Sequence, residues 1–192
     1  MMEMDKKAEP IFVFKHNVLL DAFRPPLKNT KENSGFFREN FKKWQSSIFV
    51  VNSLIHLRAE FPSRHFGITS KQVWDTFENK FLEASPSDKR KELLTIFKDC
   101  IDVIDRPSVI KVSLDDSLFV ISDTLFSTSR YVPLLVSNVK DEQKNAEKFY
   151  NAKGSKVFVP FRILSAVEAE QYLRELYPEQ SSLIDKHDAF KR

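Results

Sequence analysis

Pro10-Ile11-Phe12-Val13-Phe14-Lys15-His16-Asn17-Val18-Leu19-Leu20 joins an unbroken apolar run to a short polar step and a second aliphatic run. A strand with one wet face alternates apolar and polar residues. A run without that alternation belongs to a parallel strand covered on both sides. Four further β-branched or aromatic runs have the same character: Ser47–Asn52, Ser108–Val112, Val132–Asn138 and Lys156–Phe161. Between them the spacing turns helical. Phe36–Gln45 is aromatic and basic. Thr69–Ala84 sets Val73, Trp74, Phe77 and Phe81 on one face behind a Thr69-Ser70-Lys71-Gln72 start signal. Another helix follows Ser87, and Asp115–Phe126, Asp141–Asn151 and Val167–Leu176 complete the set, the last behind a Ser165-Ala166-Val167-Glu168 capping box. Strands alternating with helices predict an α/β fold of three layers, α/β/α, around a mainly parallel five-stranded sheet.

The organisation expected around this core is a single domain over residues 10–176. It follows an N-terminal tail at 1–9 and precedes a polar C-terminal tail at 177–192 in which Leu183 and Phe190 are the apolar points. Residues 53–105, lying between the second and third apolar runs, read as a helical insertion or arch beside the sheet. Arg24-Pro25-Pro26 through Ser34 reads as a surface loop.

Composition narrows the function classes. A mean hydropathy of −0.36 and the lack of any apolar run near the roughly 18 residues of a spanning helix argue against a membrane protein. The first residues lack a signal peptide's apolar stretch, so the expected compartment is cytoplasmic or nuclear. The single Cys100 allows no internal disulfide and no cysteine-based metal cluster. A net charge of +3 leaves RNA possible without pointing to it, and nothing points to DNA. Eighteen phenylalanines stand against three isolated glycines, Gly35, Gly67 and Gly154, so no glycine-rich phosphate cradle is present. His16, His56, His65 and His187 lack the paired spacing of a zinc site, and nothing orients Ser53 as a nucleophile toward His56. In Phe36 to Trp44, Arg38, Lys42 and Lys43 could hold RNA phosphates beside stacked bases. The simpler account packs Phe37, Phe41 and Trp44 inward and leaves the cations in water.

In an open parallel sheet the functional crevice lies at the carboxyl ends of the strands, so the residues that end each strand carry the chemistry. Read there, the chain resembles the PIN family of metal-dependent ribonucleases over roughly residues 10–176. Where that family has Asp-Thr-Asn and aliphatics, this sequence has Lys15-His16-Asn17-Val18-Leu19-Leu20. The family's second acid, a Glu on a helix, falls at Arg58, or at Glu60 if the register slips by two. Its third, heading a helix as Asp-x-x-aliphatic, matches Asp116-Ser117-Leu118-Phe119. Its fourth follows a strand in a Thr-Asn-Asp-like turn; here the turn reads Ser137-Asn138-Val139-Lys140, with Asp141 displaced by two.

The resemblance implies a nuclease fold with a degenerate site at Lys15, Arg58, Asp116 and Val139. Hydrolysis of a phosphodiester through Mg²⁺ or Mn²⁺ needs several carboxylates, and one aspartate does not supply them. The expectation is therefore a catalytically inactive module without a metal or other cofactor, serving as a platform for protein partners in RNA processing or decay. Lys15 and Arg58 would then neutralise Asp116. The alternative is an active single-stranded ribonuclease that gathers Asp116, Glu60, Asn17 and Asp141 around Mg²⁺ or Mn²⁺.

Overall fold

The structure, a computed structural model, describes residues 8–24, 30–84, 88–105, 113–152 and 159–181. The elements in chain order are β1 (Glu9–Phe14), α1 (His16–Phe23), a 3-10 turn (Lys31–Asn33), α2 (Ser34–Glu60), β2 (Gly67–Ser70), α3 (Lys71–Ala84), α4 (Asp88–Cys100), β3 (Asp102–Ile104), α5 (Leu114–Ser127), β4 (Tyr131–Val136), α6 (Glu142–Ala152), β5 (Arg162–Leu164) and α7 (Ala166–Leu176). The five strands form one sheet in the order β3-β2-β1-β4-β5, with every pair parallel. Helices cover both faces, giving the three-layer α/β/α arrangement.

Alternation along β1 and β4 explains why their sequences are apolar throughout. Phe12, Phe14, Leu134 and Val136 face one cluster with α1, α2, α4, α7 and the Trp74–Phe77–Phe81 stripe of α3. Ile11, Val13 and Leu135 face the other, built on Leu118, Phe119 and Ile121 of α5 and Ala146 and Tyr150 of α6. From Ile11 in β1 and Pro133 in β4 to the strand ends, each residue is thus buried on one side or the other, and neither face is left for polar side chains there.

Three strand assignments made from sequence need correction or lie outside the described residues. Ser47–Asn52 is the middle of α2, where Ser46, Ser47, Phe49, Val50, Val51, Asn52, Ser53, Leu54, Ile55 and Leu57 are all buried. A helix sandwiched between α1 and α7 has no polar stripe, so its short β-branched run has the look of a strand. Ser53 turns its hydroxyl back on its own helix, donating to the Phe49 carbonyl at 2.6 Å. Residues 108–112 and 156–158 lie outside the described residues, and the last strand, β5, begins only at Arg162.

Residues 53–105 are no arch beside the sheet, because they contain β2 and β3, which extend it on one side of β1. Thr69, expected to open a helix, lies inside strand β2 instead and donates its hydroxyl to the Phe14 carbonyl at 3.0 Å. Ser70 is the residue that starts α3, accepting from the Val73 amide at 3.1 Å. Gly67 is demanded by packing: a Cβ there would lie 2.8 Å from the Phe14 ring and 2.9 Å from a Leu54 methyl. At the other end of the chain the sequence signal is met in full, with Ser165 and Glu168 forming the reciprocal cap of α7. Leu183 and Phe190 of the C-terminal tail lie outside the described residues.

Candidate functional site

From β1 the chain moves outward one way to β2 and β3, and from β4 the other way to β5, so the carboxyl ends of β1 and β4 flank the point where strand order reverses. Such points open a crevice in α/β sheets. Lys15 follows directly on β1 and Ser137-Asn138-Val139 on β4, and backbone bonds from the Lys15 amide to the Val136 carbonyl (3.1 Å) and from the Ser137 amide to the Leu164 carbonyl (2.9 Å) fix both tips.

Lys15 is buried and carries its ammonium into this crevice. It donates to both carboxylate oxygens of Glu142, at 3.0 and 3.2 Å, and the Ser137 hydroxyl donates to the same carboxylate at 2.7 Å. Both charged side chains are nearly inaccessible, at 4% and 3%. Glu142 is the first residue of α6, where the helix dipole favours a negative charge. The turn that delivers it passes through Asp141, whose φ of 61° lies in the left-handed region that aspartate tolerates better than most residues. The Asp141 side chain is exposed to solvent, and only its carbonyl is used, accepting from the Asn145 amide at 3.2 Å.

Beside this ion pair lies an open pocket of about 470 Å³, lined among others by Lys15, Ser113, Asp116, Phe119, Val139 and Lys148. Asp116 enters it from the first turn of α5, whose N-cap Ser113 accepts from the Asp116 amide at 3.2 Å. Three of the four positions expected to share a degenerate site, Lys15, Asp116 and Val139, do line one pocket. Arg58 does not. It belongs to the last turn of α2 and makes a two-pronged contact with Asp102, at 3.0 and 3.4 Å. Asp102 opens β3, so it lies at the edge of the parallel sheet opposite the crevice. Glu60, two residues beyond Arg58 at the end of α2, is exposed at that same far edge. Among the described residues the carboxylate that Lys15 binds is Glu142, and no contact joins Lys15 to Asp116.

Asn17 reaches the crevice in a structural role: its side-chain oxygen accepts from the Asn138 amide at 3.5 Å. The side chain of Asn138 is the hub of the wall behind it. Its amide nitrogen donates to Asp21 of α1 at 2.8 Å and to Ser47 of α2 at 3.1 Å, and its oxygen accepts from the Ala166 amide of α7 at 3.1 Å. Burial pushes the Asp21 carboxyl above the usual carboxylate range, against the opposing pull of Asn138, Lys43 and Arg24.

Sequence reasoning missed Glu142 and the Asn138 hub. The available signal for Glu142 was its place at the start of the helix after β4, with a lysine at the tip of the neighbouring strand. Reading the turn against a family pattern drew attention to Val139 and Asp141 instead.

The described side chains of the crevice offer a hard divalent cation few oxygen ligands. Among the described residues no three His, Cys, Asp or Glu side chains gather. Asp116 is the carboxylate lining the pocket, Glu142 is engaged by Lys15 and Ser137, and the Asp115 side chain lies outside the described residues. A cation with six or more oxygen ligands would have to displace the ammonium first.

The residues weighed for RNA, Arg38, Lys42 and Lys43, stand on the first turns of α2 and do not line the pocket, although Lys43 is close enough to act on the Asp21 carboxyl. Their aromatic neighbours do not pack into the core as expected. Phe37, Phe41 and Trp44 are half-buried, belong to neither core cluster and lean on one another. Among the described residues no helix is long and apolar enough to cross a membrane. Comparison with protein-family models, with curated proteins and with solved structures gives no match to this chain.

Proposed function

We propose that this chain is a PIN-like domain without nuclease activity, retained as a platform for protein partners in RNA processing or decay. The observation that carries the reading is the Lys15–Glu142 pair: a positive charge is built into the crevice where a metal-dependent nuclease needs an excess of negative charge. Ser137 and Glu142 engage that charge internally, and among the described residues Asp116 shares the pocket with Val139 and Lys148 and with no further carboxylate. The competing reading, a single-stranded ribonuclease with an unusual acidic site, would draw on Asp116, Glu60, Asn17 and Asp141. Glu60 stands at the opposite edge of the sheet, Asn17 is spent on Asn138, and Asp141 points to solvent.

Two measurements separate them. A ligand that binds only the folded state raises its melting temperature. The platform reading predicts that Mg²⁺ or Mn²⁺ leaves the melting temperature where an equal ionic strength of Na⁺ puts it. It also predicts no Mn²⁺-dependent cleavage of single-stranded RNA. Cleavage abolished by Asp116→Asn would overturn the reading and establish the ribonuclease.

A further inference from the structure

The first turns of α2 are built differently from the rest of that helix. No residue from Ser34 to Gln45 is buried, whereas the stretch from Ser46 to Leu57 is embedded between α1 and α7. On these turns Phe37, Phe41 and Trp44 stand at the i, i+4, i+7 spacing that places side chains along one face of a helix. Their rings are in contact, with centroids 5.6 Å apart for Phe37–Phe41 and 5.4 Å for Phe41–Trp44. Phe36 beside them is 65% exposed, the most exposed large apolar side chain among the described residues. Four aromatic residues on one stretch of helix, outside both core clusters, are a large apolar surface to leave in water.

The chemistry of the flank says what covers it. Arg38 and Lys42, four residues apart and each one position beyond a ring of the ridge, are exposed and make no ion pair among the described residues. Lys43 is held by Glu39 at 3.7 Å. The rim is therefore cationic. A second copy of this chain would set Arg38 and Lys42 against their own counterparts across a two-fold axis, which like charges oppose. Single-stranded RNA would match the charge, but base stacking needs free ring faces, and Phe37 is stacked on Phe41 with Trp44 tilted against it, all three half-buried. A row of partly exposed rings at helical spacing is the form in which an amphipathic helix enters an apolar groove.

We propose that the Phe37–Phe41–Trp44 ridge docks into an apolar groove of a partner protein whose rim carries aspartate and glutamate, with Arg38 and Lys42 meeting those carboxylates. The proposal rests on the platform reading and names the surface and the chemistry of the partner. The test places the photoreactive p-benzoylphenylalanine at position 41 of the full chain, and separately at position 126 as an exposed control, and irradiates each in extract of the source cells. The expected result is that position 41, and not position 126, gives adducts to another protein at apolar residues bordered by Asp or Glu. Adduct yield should fall roughly tenfold in Arg38→Glu/Lys42→Glu, as charge reversal on a rim demands.

Both substitutions sit at exposed positions, and an unchanged melting temperature confirms that the variant is folded. Adducts within this chain, to a second copy or to RNA, a yield indifferent to the charge reversal, or no adduct above the control would each overturn the proposal. Partner adducts confined to position 126 would end this proposal and leave the platform reading standing. Mn²⁺-dependent cleavage lost in Asp116→Asn would end the platform reading even if the position 41 adducts were found.

Discussion

Lys15→Met tests the crevice at its most sensitive bond. The substitution keeps the stem's bulk but strands the Glu142 carboxylate in a site that is 3% accessible, with only the Ser137 hydroxyl to satisfy it. The expected loss is about 3–5 kcal/mol in urea unfolding, and adding Glu142→Leu should recover most of it, since an apolar pair can replace a buried ion pair at little cost. At the far edge, burial works against ionisation of Asp102, but hydrogen bonds from Arg58 and His65 outweigh it and hold the carboxyl below its ordinary 3.8. An acid whose folded pKa is depressed contributes stability above its unfolded pKa and loses it as pH falls through the folded value. Asp102→Asn should therefore cost stability near neutrality, under about 1 kcal/mol because the group is partly exposed. Melting curves of variant and parent should converge as pH drops below 3.8. Of these residues Lys15, Asp116 and Val139 were legible as neighbours, because each sits at a strand tip or helix start that the fold class alone brings together. Arg58 was not, because its place depended on a helix, α2, whose buried middle reads as a strand in the sequence.

Gly67→Ala would put a methyl group 2.8 Å from the Phe14 ring and 2.9 Å from Leu54, across the join between β1, β2 and α2. An overpacked core site costs typically about 1–3 kcal/mol, and thermal melting should read that loss. The same contact shows why the elements were unevenly legible. β1 and β4, central and flanked on both faces, have apolar sequences that announce buried strands. β2, by contrast, is Gly67-Ile68-Thr69-Ser70, a short strand with one large apolar residue, whose neighbours approach closely at Gly67. Its composition looks like a helix start, and its final Ser70 is in fact one. The converse error at Ser47–Asn52 has the same root: burial on all sides erased the amphipathic period that distinguishes a helix. The capping box before α7 could be read directly, because its hydrogen bonds join residues three apart and need no tertiary context.

Both apolar clusters are built on the two faces of one sheet, sharing β1 and β4 as their common wall. Neither can lose its strands while the other keeps them, so the described elements should unfold together. In a Trp44→Phe variant, Trp74 fluorescence reports on the α2 side and far-UV circular dichroism on all helices, and the two transitions are expected to coincide in urea. A transition seen first in one probe would mean that the layers come apart independently. The fold class was readable at this scale, since it depends on the count and order of apolar runs more than on the identity of any one run. One consequence concerns α2, whose 27 residues make an unbroken rod about 40 Å long. Its free end bears the aromatic ridge, and the first side chain it lends to the crevice wall is Ser47, one helical turn past Trp44. Leverage applied to the tip is thus delivered first to the adjoining Ser46–Glu170 and Ser47–Asn138 joints, which makes this helix a tiller for the polar seam between α1, β4 and α7.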